Sequence, residues 1–359
     1  MQSPPGKSTP ILSTRDLRLV VVAVVLMAAS GLTYFTHAGK IAPFLISAAA
    51  LGTLAALVGR SVDRLGDRLG SGATGVVQSA LGNLPEAFVG VFALRAGLVH
   101  LVQSALIGSI LANLLLVLGL AFIGGGARHG TQRFSSAPPR TAVTLLLLSV
   151  FVIVVPTLSS HLGTAASHHE QALSDIVSIV LLAVFVVSIP ASLAAAPSDA
   201  VLEPAHLWPT WLVVVMLGGS SVAAAFVSDW FVGALTPALR SLHISQAFAG
   251  LVIVAIAGNA VENFVGISLA MKNRSDYALS VILQSPVQIA LGLLPILVLI
   301  SGHIGGSPLT LVMPVQLIVS LAMGTIVTVV VVVDGESTWL EGAALVGLYV
   351  AIAASFWWG

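Results

Sequence analysis

Residues 82–90 read GNLPEAFVG, and residues 258–266 read GNAVENFVG. Six of the nine positions are identical in these two signature copies. Each copy carries one glutamate, Glu86 or Glu262, inside an apolar stretch long enough to cross a bilayer. A charged group at membrane depth costs about 2.5–3.5 kcal/mol on insertion scales, so it indicates a functional site. Two such groups at matching places predict a midplane ion site that is shared by two halves of a transporter.

The composition predicts an all-α polytopic membrane protein. Hydrophobic residues make up 57% of the chain and charged residues only 8%, whereas a soluble domain has roughly 25% charged residues. The formal net charge is zero, so we expect the lipid bilayer and no nucleic acid as a partner. The absence of cysteine excludes disulfides, thiolate metal sites and thiol catalysis. We expect no cofactor apart from the transported ions.

About 11 apolar stretches are long enough to be transmembrane helices. They lie near residues 17–36, 41–60, 73–94, 98–124, 141–160, 172–194, 209–233, 246–271, 276–301, 308–333 and 339–358. We divide the chain into a tail with a first helix, a five-helix repeat, a linker and a second five-helix repeat. Their bounds are 1–38, 39–194, 195–208 and 209–359.

The basic residues predict the orientation in the membrane. Of the 14 basic residues, only Lys40, Arg95 and Arg240 fall on the side opposite the N-terminus. Because basic loops stay in the cytoplasm, the N-terminus is expected there and the C-terminus outside. Each repeat has an odd number of helices, so the two repeats enter the membrane from opposite sides. This is the inverted-repeat topology of secondary transporters.

The two glutamates can hold either a cation or protons. Two carboxylates neutralise one divalent cation, and hard oxygen ligands suit Ca²⁺, which takes 6–8 of them. Burial and an adjacent carboxylate both favour the protonated form instead. A site that holds either species exchanges one for the other, which is antiport. The competing interpretation is a structural pair of buried glutamates that transports nothing.

Further polar residues accompany the glutamates in both repeats. Asn83 and Asn259 lie three residues before each glutamate and so share its helix face. Ser109 and Ser285 also match at the offset of 176 positions, and Asn113 and Gln288 could add amide oxygens. Serines in such helices often bond only to their own backbone, so this second set is open to both interpretations.

The remaining acids allow a functional or a structural interpretation, and the sequence carries no enzyme motif. Asp63 and Asp229 could belong to a proton path or could pair with nearby arginines. Glu341 opens the last span, where a helix dipole stabilises a carboxylate, so we expect a structural role. The chain lacks a zinc-protease, serine-hydrolase or P-loop motif, and we expect that it is not an enzyme.

These residues resemble the cation/proton exchanger (CAX) family of the Ca²⁺:cation antiporter superfamily. Residues 258–262 match that family's Gly-Asn-Ala-x-Glu core, and residues 103–119 and 334–342 are similar to other runs of the family. The resemblance implies a Ca²⁺/H⁺ antiporter with eleven helices. By it, Glu86 and Glu262 bind Ca²⁺ and exchange protons, aided by Asn83, Asn259, Ser109, Ser285, Asn113 and Gln288. Leu84-Pro85 departs from the family pattern and is more reminiscent of sodium/calcium exchangers.

Two further interpretations of the function stay open. The same fold could exchange Na⁺ or K⁺ for H⁺, which the departures in the first copy allow. A cation channel is disfavoured because buried titratable carboxylates in inverted repeats suit occlusion better than conduction. The short loops suit a bacterial inner (plasma) membrane. A homo-oligomer is compatible with the sequence, which carries no signal for one.

Overall fold

The structure is a computed structural model that describes residues 12–69, 81–135, 137–194 and 208–358, without the side chains of 63, 66–69, 137–138, 190–194 and 260–262. The described residues are mostly helical. The helices are α1 Thr14–Phe35, α2 Ala42–Leu69, α3 Leu84–Arg95, α4 Val99–His129, α5 Ala137–His161, α6 Glu170–Ala194, α7 Thr210–Leu242, α8 Gln246–Gly258, α9 Ala260–Ala270, α10 Ser275–Ser301, α11 Val315–Val332 and α12 Trp339–Ser355. The strands are β1 Gln132–Arg133 and β2 Glu336–Ser337.

Eight helices in the described part of the chain are long and apolar enough to cross a membrane. A ninth candidate is a broken span, in which α8 and residues Asn263–Ala270 of α9 are bent by 66°. Helices α3 and α12 occupy the places of the predicted third and eleventh spans but are shorter. Part of the predicted third span, residues 73–80, lies outside the described residues. The expected helical membrane fold is confirmed in its coarse form, since the described residues are mostly helical with two short strands, while the count of eleven and the repeat layout stay predictions.

Helices α4 and α10 form the centre of the protein. In each of them 83% of an apolar 18-residue segment is buried by the rest of the chain, whereas the buried share is 17–50% in the other six candidate spans. Each is interrupted near its middle by a π-helical turn, at Ala112–Val117 in α4 and Ile289–Leu293 in α10. Such turns re-aim the neighbouring side chains and are frequent at functional sites. The two turns lie at equivalent places in the two sequence repeats.

Two glycines allow α8 to pack directly on α4. A methyl group on Gly250 of α8 would lie 2.7 Å from the carbonyl oxygen of Leu101 and 2.8 Å from the Cβ atom of Ser104. A methyl group on Gly108 of α4 would overlap the backbone of Leu251. Close approach through small residues is the usual way in which helices associate inside a membrane. The crossing holds the second signature copy, which follows α8, against the first half of the chain.

The loops at one end of α4 and α12 are joined by the two short strands. Strands β1 and β2 are antiparallel, and the Nε atom of Arg133 lies 3.0 Å from Oε1 of Glu336. Both side chains are well exposed, so this ion pair contributes at most about 1 kcal/mol. At the start of α12, Glu341 accepts hydrogen bonds from the backbone and hydroxyl of Thr338 in a capping box. This is the structural role expected for Glu341.

Substitution of Gly250 by alanine is expected to destabilise the protein. Because the added methyl group has no space against α4, we expect the free energy of unfolding to fall by about 1–3 kcal/mol. Thermal unfolding in detergent measures the effect. Gly218→Ala on α7 is the matched control, since a methyl group there meets no atom within 4 Å. Equal melting temperatures for the two variants would contradict the packing described for α4 and α8.

Candidate cation site

Both signature copies lie where a helix is broken. Asn83 precedes α3 and Asn259 precedes α9, with nearly the same backbone angles, φ −95° and ψ 20° against φ −97° and ψ 15°. Glu86 and Glu262 are therefore each the third residue of a new helix. Pro85 is tolerated because an N–H group at the start of a helix makes no intrahelical hydrogen bond. The breaks bring backbone polar groups to the same depth as the glutamates, which is tolerated where they face a cavity or protein.

The carboxyl group of Glu86 lies against the second signature copy. Its side chain is only 9% exposed. A methyl group on Gly258 would lie 2.8 Å from Glu86 Oε1 and 3.1 Å from Cδ. Gly258 therefore leaves the space that the carboxyl group occupies, and any larger residue would displace it. The two signature copies meet at this contact.

The amides of Asn83 and Asn113 are both turned with their oxygens away from hydrogen-bond donors. Asn83 Nδ2 donates to Gln288 Oε1 at 3.2 Å, and Asn113 Nδ2 donates to the backbone carbonyl of Ser109 at 3.0 Å. Both Oδ1 atoms are buried and accept no hydrogen bond from the described residues. A buried acceptor without a donor costs about 1–3 kcal/mol. A cation offers such oxygens the partner that the protein lacks.

The second copy is arranged differently. Asn259 Nδ2 donates to the backbone carbonyl of Ala255 at 3.0 Å, while its Oδ1 accepts from the Ser285 hydroxyl at 3.1 Å. An amide oxygen has two lone pairs, so Asn259 keeps the capacity to bind a cation. The equivalent residues of the two repeats thus use their hydrogen bonds differently. The site is not symmetric in detail.

A small cavity adjoins Glu86 and Ser109. Its volume is about 20 Å³, and apolar residues of α3, α4, α8 and α10 form the rest of its wall. A volume above roughly 10–15 Å³ holds one water-sized particle. Ser109 is buried and shares this cavity with the glutamate, while its role as a ligand stays a prediction.

Contacts join most of the expected site residues in pairs, and the sequence analysis missed one further candidate. Asn83 with Gln288, Asn259 with Ser285, and Glu86 with Ser109 are brought together, but the side chain of Glu262 lies outside the described residues. Asn263, directly after Glu262, was missed because Ala87 stands at its place in the first copy. Its buried Oδ1 accepts no hydrogen bond from the described residues. Adjacency to the glutamate was the only signal that could have found it.

Not every polar residue of the central helices belongs to this region. The side-chain amide of Gln103 on α4 donates to the backbone carbonyls of Thr310 and Val312 at 3.1 and 3.0 Å. Gln103 therefore ties α4 to the segment before α11. The side chain of Asp63 is outside the described residues, whereas Asp229 is exposed on α7.

Two large clefts flank the site. The first, the basic cleft, has a volume of about 1350 Å³ and lies between α1 and α2 on one side and α8 and α9 on the other. The second, the Asp229 cleft, has a volume of about 1070 Å³ and lies chiefly between α3 and α7. Ala257 lines the basic cleft, next to the glycine that contacts Glu86, and Phe88 lines the Asp229 cleft, two residues after Glu86.

The two clefts are built from equivalent faces of the repeated helices. Thr53, Ala56 and Arg60 of α2 line the basic cleft, and 176 positions later Asp229, Val232 and Thr236 of α7 line the Asp229 cleft. Likewise the basic cleft has Phe264, Ser268 and Lys272, and the Asp229 cleft has Phe88, Phe92 and Ala96. The same construction therefore occurs twice, once on each side of the signature helices.

The chain is similar to known cation exchangers over nearly its whole length. It is 31% identical over 348 residues to a Ca²⁺/H⁺ antiporter of Aphanothece halophytica, covering 90% of this chain and 92% of that protein. It is 30% identical to the Ca²⁺/H⁺ antiporter ChaA of Bacillus subtilis, with 94% and 97% covered.

Solved structures share the fold. The structure of native YfkE matches with a TM-score of 0.81 at 27% identity and covers 94% of this chain and 99% of that one. The H⁺/Ca²⁺ exchanger CAX matches with a TM-score of 0.77, covering 95% and 91%, and its 16% identity supports likeness of fold alone. The sodium/calcium exchanger protein family matches residues 39–193 and 212–358. The resemblance predicted from the signature residues is confirmed, and the chain belongs to the sodium/calcium exchanger protein family.

Proposed function

We propose that this protein is a secondary antiporter that exchanges Ca²⁺ for H⁺ across a membrane by alternating access. The observation that carries the proposal is the contact between the buried carboxyl group of Glu86 and Gly258, where the two signature copies meet. The relatives that are Ca²⁺/H⁺ antiporters support the choice of ions. In this proposal Glu86 and Glu262 bind either the cation or protons.

The proposed ligands are oxygens from both halves of the chain. Glu86 and Glu262 supply negative charge, and Asn83, Asn113 and Asn259 supply amide oxygens. Gln288 acts chiefly by holding the Asn83 amide, because its own oxygen accepts from Asn83 Nδ2. Ser109 and Ser285 complete the wall of the proposed cation site. A set of this kind suits Ca²⁺, which accepts 6–8 oxygen ligands at 2.3–2.6 Å in flexible geometry.

Charge balance couples the two fluxes. Two ionised carboxylates away from bulk water are costly unless a cation or protons neutralise them. The site therefore releases Ca²⁺ readily only where protons replace it, and releases protons where Ca²⁺ replaces them. Movement of the empty, doubly charged site is disfavoured. Exchange in opposite directions follows from this competition without any energy source other than the two gradients.

We propose that α2 and α7 move together to change the accessible side. They pack along each other, and each borders one of the two clefts. Sliding this pair relative to α3 and α9 would widen one cleft and narrow the other. The equivalent cleft faces, helix breaks and π-helical turns support two inverted repeats preceded by one additional helix, eleven spans in all. The family match over 39–193 and 212–358 supports repeats at 39–194 and 209–359, with 1–38 and 195–208 outside them.

The proposed location is a bacterial inner membrane with the N-terminus in the cytoplasm. The basic residues support this orientation, because Arg15, Arg60, Arg64 and Lys272 all lie at the end of the protein where α1 begins. The C-terminus is then outside. Transport requires no second copy of the chain, since both signature copies come from one chain.

Exchange of Na⁺ or K⁺ for H⁺ is the second candidate. The Pro85-Glu86 pair of the first copy and the fold likeness to a sodium/calcium exchanger, TM-score 0.54 at 18% identity, favour keeping it. Monovalent ions need only one carboxylate for neutrality. Proton flux driven by Na⁺ or K⁺ but not by Ca²⁺ would select this candidate.

Glu86→Gln is expected to abolish tight Ca²⁺ binding in the purified protein. One pair of unit charges at 4 Å is worth about 4 kcal/mol at an effective dielectric constant of 20, so we expect affinity to fall roughly a thousandfold. Isothermal titration calorimetry measures the affinity. The matched control is Glu336→Gln, which removes an exposed carboxylate outside the site. Unchanged affinity in Glu86→Gln would remove this glutamate from the proposed site.

Gln288→Leu is expected to weaken Ca²⁺ binding without removing a charge. Loss of an amide that orients a ligand typically lowers metal affinity about 10–100-fold, and here the Asn83 amide would lose its acceptor. The same titration measures the effect, with Gln316→Leu at an exposed position as the control. A folded Gln288→Leu protein with wild-type affinity would show that the orientation of Asn83 is unimportant.

A further inference from the structure

The basic cleft has a distribution of polarity that the proposed exchange does not explain. Its four charged residues are all basic: Arg15, Arg60, Arg64 and Lys272. They lie at one end, where α1 begins, α2 approaches its end and α9 is followed by Lys272. No acidic side chain is among the described residues that line it. A cluster of this kind attracts anions, although Asp16 already balances the charge of Arg60.

The Asp229 cleft provides an internal comparison. Arg60 and Lys272 of the basic cleft correspond, 176 positions apart, to Thr236 and Ala96 of the Asp229 cleft. Conversely, the uncharged Thr53 of the basic cleft corresponds to the acidic Asp229 of the other cleft. Since equivalent helix faces form both clefts, the fold itself does not require the basic residues. Their concentration on one side agrees with the positive-inside bias, and it also gives an anionic ligand positive partners on that side only.

The remainder of the basic cleft is mostly apolar, with Thr53 and Ser268 as the polar residues, and some of its side chains are exposed. Phe264 is 75% exposed, and Ile256 and Val265 are 37% and 38% exposed. Along α2 the apolar wall runs from Ala48 to Arg60, about 18 Å at 1.5 Å per residue. That length is close to one leaflet, half of the roughly 30 Å hydrocarbon core.

Helix α1 leaves the basic cleft open on the side of α8 and α9. Helix α1 packs chiefly on α2 and α7, so it forms one edge of the cleft and does not close it toward α8 and α9. The volume of about 1350 Å³ exceeds the roughly 300–1,000 Å³ of pockets for drug-sized ligands. A ligand of this size with an apolar body and an anionic end can enter from the membrane.

We propose that the basic cleft binds an anionic phospholipid from the leaflet in which α1 begins. The phosphate lies among the basic residues, and the acyl chains lie along α2 and α8. Arg15 and Lys272 are exposed and supply the main contacts. Arg60 already pairs with the buried Asp16 at 3.1 Å, and a guanidinium has further donors for a phosphate. Basic pockets between membrane helices on the cytoplasmic side are typical sites for anionic headgroups.

The bound lipid would also favour one conformation. It fits only while α2 stands apart from α9, so its binding energy stabilises the state in which the basic cleft is wide. This consequence rests on the proposed alternating access. The binding site itself does not, and a test that measures lipid binding distinguishes failure of the lipid site from failure of the exchange proposal.

The test measures binding of phosphatidylglycerol and phosphatidylcholine to the full-length protein by native mass spectrometry from detergent. We expect the wild type to retain phosphatidylglycerol preferentially. The double variant Arg15→Gln/Lys272→Gln should bind it roughly 30-fold more weakly, because each basic residue near the surface contributes about fivefold. The matched control Arg95→Gln/Arg240→Gln removes two charges at the other end and should bind like the wild type.

Three results would overturn the proposal. Equal retention of the two lipids would exclude recognition of the anionic headgroup. An equal loss in both double variants would show that only the total charge of the protein matters. Displacement of phosphatidylglycerol by an equimolar amount of glycerol phosphate would show that the apolar wall contributes nothing. Melting temperatures of both double variants, measured beforehand, ensure that folded proteins are compared.

Discussion

The burial of a carboxyl group against a glycine backbone is the constraint on which the rest of the structure depends. Glu86 is accommodated because Gly258 has no side chain, and both lie at breaks in apolar helices. A buried carboxylate is costly unless it is protonated, paired or bound to a cation. The proposed exchange depends on this cost, because a proton must replace the cation, or the cation must replace the proton, for the carboxylate to stay neutralised.

Several features of the fold hold this contact in place. Gly108 and Gly250 let α8 pack against α4, and α8 ends at the glycine that contacts Glu86. The π-helical turns in the buried α4 and α10 lie beside Asn113 and Gln288. Gln288 then holds the amide of Asn83. The orientation of oxygens at the site thus depends on main-chain geometry in helices on both sides of it.

Much of this arrangement was predictable from the sequence, because the two copies of the repeated segment can be aligned with each other at a constant offset. The repeated signature predicted Glu86, Asn83 and Asn259 as site residues, and the offset of 176 positions predicted Ser109 and Ser285. Composition and apolar length predicted a helical membrane protein. Two copies of one motif are expected to adopt the same backbone conformation. The nearly equal backbone angles of Asn83 and Asn259 agree with that expectation.

Features that depend on one tertiary contact were not predictable in the same way. The sequence indicated Gln288 as a ligand, but its position opposite Asn83 depends on how α10 packs against the start of α3. Asn263 has no counterpart in the first copy. Apart from Phe88, Phe264 and Val265 of the signature copies, the residues that line the two clefts form no motif that the sequence alone reveals.

The most direct test of obligatory Ca²⁺/H⁺ exchange is simultaneous measurement of Ca²⁺ and proton flux in liposomes that contain the purified protein. An imposed Ca²⁺ gradient should drive protons in the opposite direction, and an imposed pH gradient should drive Ca²⁺, with a constant ratio between the two fluxes. Ca²⁺ movement that proceeds at the same rate without any proton movement would contradict the account.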